Sequence, residues 1–100
     1  KKKKFMAFSG IGNPHTFTET LKDMKIKFIS HEIFPDHYNY KESDLQKLKQ
    51  LAKQKGCKLL TTEKDYLRIN KSYRKNINFL KVELSIEHEK KFYKYLNEKL

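Results

Sequence analysis

Apolar and polar positions along the chain spell out strand, loop and helix several times over. Phe5-Met6-Ala7-Phe8 is a continuous apolar run that stops at Gly10 and Gly12, the pattern of a strand covered on both faces. Asn13-Pro14 has the order of a helix start, with Asn13 as N-cap and Pro14 in the first turn. Phe17, Leu21 and Met24 follow at i, i+4 and i+7 and make one apolar face. Ile26 to Phe34 is rich in β-forming residues and ends at Pro35, which predicts a second strand. After a polar and aromatic loop, Pro35 to Tyr40, a helix is expected to carry Leu45, Leu48, Leu51 and Ala52, with Gly56 placed to cap its end. Cys57 to Thr62 predicts a third strand. Thr62-Glu63-Lys64-Asp65 has capping-box spacing ahead of a short helix with Tyr66, Leu67 and Ile69. Ile77 to Leu84 alternates and predicts a fourth strand. A last helix is expected from about Ser85, with Glu87 and Glu89 in its first turn and Phe92, Leu96 and Leu100 stacked along one side.

Strands separated by helices pair in parallel, because a parallel neighbour needs a crossover. The expected fold is therefore α/β: a small three-layer Rossmann-like domain, with a parallel sheet of about four strands and flanking helices. Residues 1–100 make one domain, without internal repeats or a Gly/Ser-rich linker. Lys1 to Lys4 reads either as a frayed end or as the stump of a linker.

Composition narrows the class. The six Tyr and seven Phe supply large side chains for a core, so wholesale disorder is not expected. The longest apolar run is four residues, Phe5 to Phe8, against the roughly 18 that a membrane-spanning helix needs. No apolar stretch of secretory-signal length follows the basic start. The single cysteine, Cys57, makes no internal disulfide and fits a small hydrophobe in a reducing compartment. A net charge of +11 would attract nucleic acid, anionic lipid or phosphorylated ligands. Yet 21 of the 23 basic residues are Lys, and only Arg68 and Arg74 offer the planar fork favoured for reading phosphate. Most of the charge therefore reads as a solvated face.

Three polar segments each follow a strand and precede a helix: Gly10 to Pro14, Phe34 to Tyr38, and Thr61 to Asp65. In a parallel sheet all three emerge at its carboxyl edge, where open α/β sheets bind ligands and helix N-termini face anions. Each has a plainer reading beside it. Gly10 and Gly12 also suit a tight turn, and Thr62 with Asp65 suits a helix cap. Asp36-His37 is harder to assign to packing, although a lone histidine is more often structural. The dinucleotide fingerprint lacks its third glycine, because His15 occupies that position, and the phosphate loop GxxxxGK followed by Ser or Thr is absent. His15, His31, His37 and His88 lack metal-ligand spacing, and no GxSxG elbow exists, so neither a metal site nor a nucleophile is expected.

Together these segments resemble the C-terminal part of the tetraacyldisaccharide 4'-kinases, the lipid A 4'-kinase family. The likeness lies in AFSGIGNP (Ala7 to Pro14) with Phe17 and Thr20-Leu21, in FPDHYNY (Phe34 to Tyr40) with Asp44-Leu45, and in LLTTEKD (Leu59 to Asp65). The order and spacing of the three motifs make the likeness specific from about residue 4 to about residue 84. The resemblance implies transfer of the ATP γ-phosphoryl, with Mg²⁺, to the 4'-hydroxyl of tetraacyldisaccharide 1-phosphate, the lipid A disaccharide precursor. It implies as partner a P-loop domain on the N-terminal side that holds the nucleotide and a catalytic Asp, and that lies outside this sequence. It implies a setting at the cytoplasmic side of the bacterial inner membrane, with an anionic membrane surface nearby and no specific nucleic acid. His37 is then the candidate catalytic residue, orienting that Asp, with Asp36 behind it. Gly10, Gly12, Asn13, Thr62, Glu63, Lys64 and Asp65 are expected to shape the cleft. Without the P-loop half, this stretch by itself is expected to be soluble and inactive. The alternatives are a stand-alone basic module for nucleic acid or anionic membrane and a nicotinamide-dependent oxidoreductase. Against the first, the basic residues are dispersed and no RNA-binding signature appears. The second is weakened by His15. Lys41, where a capping Ser or Thr is expected, departs from the pattern.

Overall fold

The apolar run near the start becomes the central strand of a sheet. The computed structural model describes residues 4–85 and 90–97. In chain order the elements are β1 (Phe5–Ser9), α1 (Pro14–Asp23), β2 (Phe28–Ile33), α2 (Glu42–Gln54), β3 (Lys58–Thr62), α3 (Glu63–Arg68), β4 (Ile77–Ser85) and β5 (Lys90–Asn97), with a 3-10 turn at Lys71–Tyr73. The sheet order is β2-β1-β3-β4-β5. β1 pairs in parallel with both β2 and β3, and β3 pairs in parallel with β4, as the crossover argument requires.

Alternation along β1 sorts the core into two clusters. Phe5 and Ala7 join Phe17, Leu21, Leu60 and Leu80 in the cluster that α1 covers. Met6 and Phe8 join Leu45, Leu48, Ala52, Leu59, Tyr66, Ile69 and Ile77 in the cluster that α2 and α3 cover. A strand covered on both faces can afford no polar side chain until its end, and Ser9, fully buried, is that end. The helices thus lie on both faces of a largely parallel sheet, the three-layer arrangement expected. Gly56, at φ +66°, takes the left-handed position just past α2.

Two expectations change. The last helix is not formed: Lys90–Asn97 is a strand, antiparallel to β4, with Leu80 opposite Tyr95 and Val82 opposite Tyr93. Glu87, Glu89 and Leu100 lie outside the described residues. Phe92 and Leu96 satisfy a helical period, but Phe92, Tyr93 and Tyr95 are β-formers. A short connection to a long neighbouring strand favours a hairpin over a helix. Leu51 also leaves the core: it is 40% exposed, whereas Leu45 is 1% exposed.

Candidate active-site cleft

Strand order places the site. β1 sends its chain to one side, toward β2, and the next crossover returns to β3 on the other side, so the carboxyl ends of β1 and β3 are the switch point of the sheet. The loops that follow these two strands flank a cleft of about 470 Å³ on the α1 side. Ile11, Phe17 and Leu80 give it an apolar floor, and Gly12, Asn13, Thr16, Thr62, Glu63 and Lys64 form its polar walls. Five of the expected residues therefore meet there: Gly12, Asn13, Thr62, Glu63 and Lys64. Asn13 starts α1 without a side-chain hydrogen bond to the helix.

Asp65 and Gly10 are buried and do not line the cleft. Asp65 has no exposed surface. Its Oδ1 accepts the Gly10 N–H at 2.9 Å and the Tyr40 hydroxyl at 3.0 Å, and its Oδ2 accepts the Thr62 hydroxyl at 2.6 Å. Thr62 Oγ1 in turn accepts the Asp65 N–H at 3.1 Å, so the expected cap of α3 exists within a larger network. The Arg68 guanidinium stands 3.7 Å from Asp65 Oδ1 and donates to the Gly10 carbonyl at 3.1 Å. One carboxylate thus ties the three motifs together. Burial and the adjacent Asp65 carboxylate push the Tyr40 hydroxyl far above its ordinary range, so it stays a donor.

The loop after β2 folds back over this junction. Phe34 N–H donates to the Ser9 carbonyl at 2.7 Å and His37 N–H to the Gly10 carbonyl at 2.9 Å. Its aromatics are anchors: the Phe34 ring lies 4.9 Å from Tyr38 and 5.3 Å from Tyr40, and Phe8 packs edge-on against Tyr40 at 5.5 Å. A Cβ on Gly10 would stand 2.8 Å from the Pro35 carbonyl oxygen, so this close approach needs glycine. Asp36 and His37 remain at the tip. His37 adopts φ +60°, and its side chain is 83% exposed. Its Nε2 is 3.7 Å from Asp36 Oδ2, an ion-pair distance when the imidazole is protonated. Asp36 borders the cleft, since a Cβ on Gly12 would lie 3.3 Å from its Oδ2.

Sequence reasoning overlooked three participants. Tyr40 sits inside a quoted motif, and Arg68 is three residues beyond Asp65, a spacing that brings side chains together on a helix. His31 carries no such signal. Its Nε2 is 2.6 Å from Ser9 Oγ, its Nδ1 is 2.8 Å from Thr18 Oγ1, and its ring meets Phe17 edge-on at 5.4 Å. Burial holds its pKa below the usual imidazole value, opposed by Asp65 and Glu32. Among the described residues no group of three or more His, Cys, Asp or Glu side chains is placed to hold a metal ion. Among them, too, no helix is long and apolar enough to cross a membrane.

Fold and cleft together define a doubly wound α/β domain whose carboxyl edge is built from the loops after β1, β2 and β3. The whole chain, residues 1–100, matches the family model for tetraacyldisaccharide-1-P 4'-kinase, and the chain belongs to that family. It is 47% identical over 100 residues to the tetraacyldisaccharide 4'-kinase of Rickettsia africae (strain ESF-5), and equally so to that of Rickettsia conorii (strain ATCC VR-613 / Malish 7). The tetraacyldisaccharide 4'-kinase of Rickettsia akari (strain Hartford) is 46% identical over the same length. All of this chain is covered, but it spans only about 30% of the length of the relatives it matches. No solved structure matches it.

Proposed function

We propose that residues 1–100 form the C-terminal domain of a tetraacyldisaccharide 4'-kinase and supply one wall of its active-site cleft. The reaction is transfer of the ATP γ-phosphoryl to the 4'-hydroxyl of tetraacyldisaccharide 1-phosphate. The observation that carries this reading is the junction of the three family motifs at the sheet's switch point, with Asp36 and His37 at the tip of the loop that folds onto Gly10 and with Asp36 beside Gly12 of the cleft wall. Mg²⁺ finds no ligand cluster among the described residues, and the chain has no phosphate loop. In this reading the nucleotide phosphates and the metal are held by a P-loop domain on the N-terminal side.

His37 is suited to act on a group brought from the other side of the cleft. It is exposed, its backbone is fixed, and an imidazole can hold a neighbouring carboxylate in place as that carboxylate takes the hydroxyl proton. Lys64 adds positive charge to the wall opposite the α1 terminus, and Thr16 and Thr62 offer hydroxyls to a sugar or phosphate. The setting that goes with this reading is the cytoplasmic side of the inner membrane, where anionic lipid would meet the basic surface.

In the whole protein, His37→Ala should lower kcat on the order of 100-fold while leaving the unfolding midpoint nearly unchanged, because the side chain is largely solvated. Turnover equal to the parent would remove His37 from the reaction. Residues 1–100 alone should show no ATP-dependent phosphorylation of the lipid, and detectable product would overturn the division of labour.

A further inference from the structure

We propose that Asp65 is a positioning residue: through Gly10, its buried carboxylate fixes the turn that presents Asp36 and His37. The inference rests on the kinase reading for its effect on turnover, but not for its effect on geometry.

A helix cap explains only half of what this carboxylate does. Capping α3 needs the Thr62 hydroxyl and the Asp65 N–H, and Oδ2 accepts that same hydroxyl at 2.6 Å in place of the backbone contact of a capping box. Oδ1 is turned the other way, to an N–H 55 residues earlier in the chain and to the Tyr40 hydroxyl. Taking a carboxylate wholly out of water costs several kcal/mol unless hydrogen bonds and an opposite charge compensate, and a well-packed apolar side chain would avoid that cost. What an apolar side chain could not do is hold a peptide plane in one orientation. Both peptide planes that meet at Gly10 are held, the Ser9–Gly10 plane through its N–H by Asp65 and the Gly10–Ile11 plane through its carbonyl by Arg68, which itself stands 3.7 Å from Asp65. That same carbonyl accepts the His37 N–H.

The chain of contacts therefore runs from Asp65 to Gly10 to His37, directly at the Gly10 N–H and by way of Arg68 at the carbonyl that His37 also uses. Gly10 is pressed against Pro35 and Tyr38, and Tyr40 closes the same pocket from the far end of the loop. His37 is left in a left-handed conformation, which a non-glycine residue holds only where its surroundings impose it. Loosening Oδ1 should let the turn relax and the imidazole wander from its working position.

The test uses Tyr40→Phe and Asp65→Asn in the whole protein, each alone and combined with His37→Ala. Tyr40→Phe keeps the ring packing and removes one donor, so it carries the test where Asp65→Asn disturbs folding. It should lower kcat on the order of ten-fold at nearly unchanged KM, and Asp65→Asn should lower it further, toward about 100-fold. In the His37→Ala background the same substitutions should cost less than about two-fold more, since the group they position is gone. Equal losses in both backgrounds would overturn the proposal. Amide hydrogen exchange reads the geometry directly: the His37 N–H should exchange on the order of ten-fold faster in Tyr40→Phe. Unchanged exchange would overturn the proposal whatever the activity. Faster exchange together with full turnover in His37→Ala would uphold the positioning and defeat the catalytic role of His37.

Discussion

His31 shows how one side chain can tie stability to pH. It bridges Ser9 at the end of β1 and Thr18 on α1, and burial keeps its folded-state pKa below the value of about 6.5 that it has in the unfolded chain. Acidification through that region protonates the unfolded chain more readily than the folded one. The contribution is therefore fully present above pH of about 6.5 and declines as pH falls below it. Urea midpoints measured from about pH 8 down to about pH 5 should fall, and His31→Asn should flatten that part of the profile. An identical slope in both would show that other groups carry the dependence. Gly10 makes the complementary case in sterics: its absent Cβ matters because backbone, not a flexible side-chain tip, stands 2.8 Å away.

At the scale of the element, α2 separates what periodicity predicts from what packing uses. Leu45, Leu48 and Leu51 all fall on an apolar stripe, but only the first two turn into the cluster beneath β1 and β3, and Leu51 is 40% exposed. Leu45→Ala should cost about 3 kcal/mol in denaturant unfolding, with Leu51→Ala below about 1 kcal/mol. Comparable losses at both positions would mean that Leu51 is covered in solution. The first three strands and three helices were legible because their signals agree: β-branched or aromatic runs, glycine and proline at the breaks, capping residues at the starts. The β5 segment was misread because KKFYKYLN satisfies a helical and a strand period together. Only the presence of β4 as a neighbour decides between them.

For the whole molecule, the net charge of +11 is a statement about self-repulsion as well as about partners. Basic residues occur in all three helices and in β3, β4 and β5, so compaction brings like charges closer. Raising ionic strength from about 0.01 M to about 0.15 M shortens the screening length from about 30 Å to about 8 Å and should raise the thermal midpoint of residues 1–100. A lower midpoint in salt would mean that attractive pairs dominate. The same screening should weaken any attraction to anionic membranes without touching the contacts inside the cleft.

Chemical order along the chain determined the fold class, the three loops at one edge of the sheet and the family likeness, because each depends on neighbours a few residues apart. Local periodicity contains the strand-loop-helix alternation, and the parallel pairing follows from it by chain geometry. Tertiary structure alone decided the strand order, and with it the switch point between β1 and β3. It also turned Asp65 from a helix cap into the tie between three motifs and made Gly10 and Tyr40 its partners. Those contacts join residues 25 and 55 positions apart, a distance over which composition and spacing carry no geometric information. Such pairs meet only when the chain closes on itself, and burial then determines which polar groups must find each other.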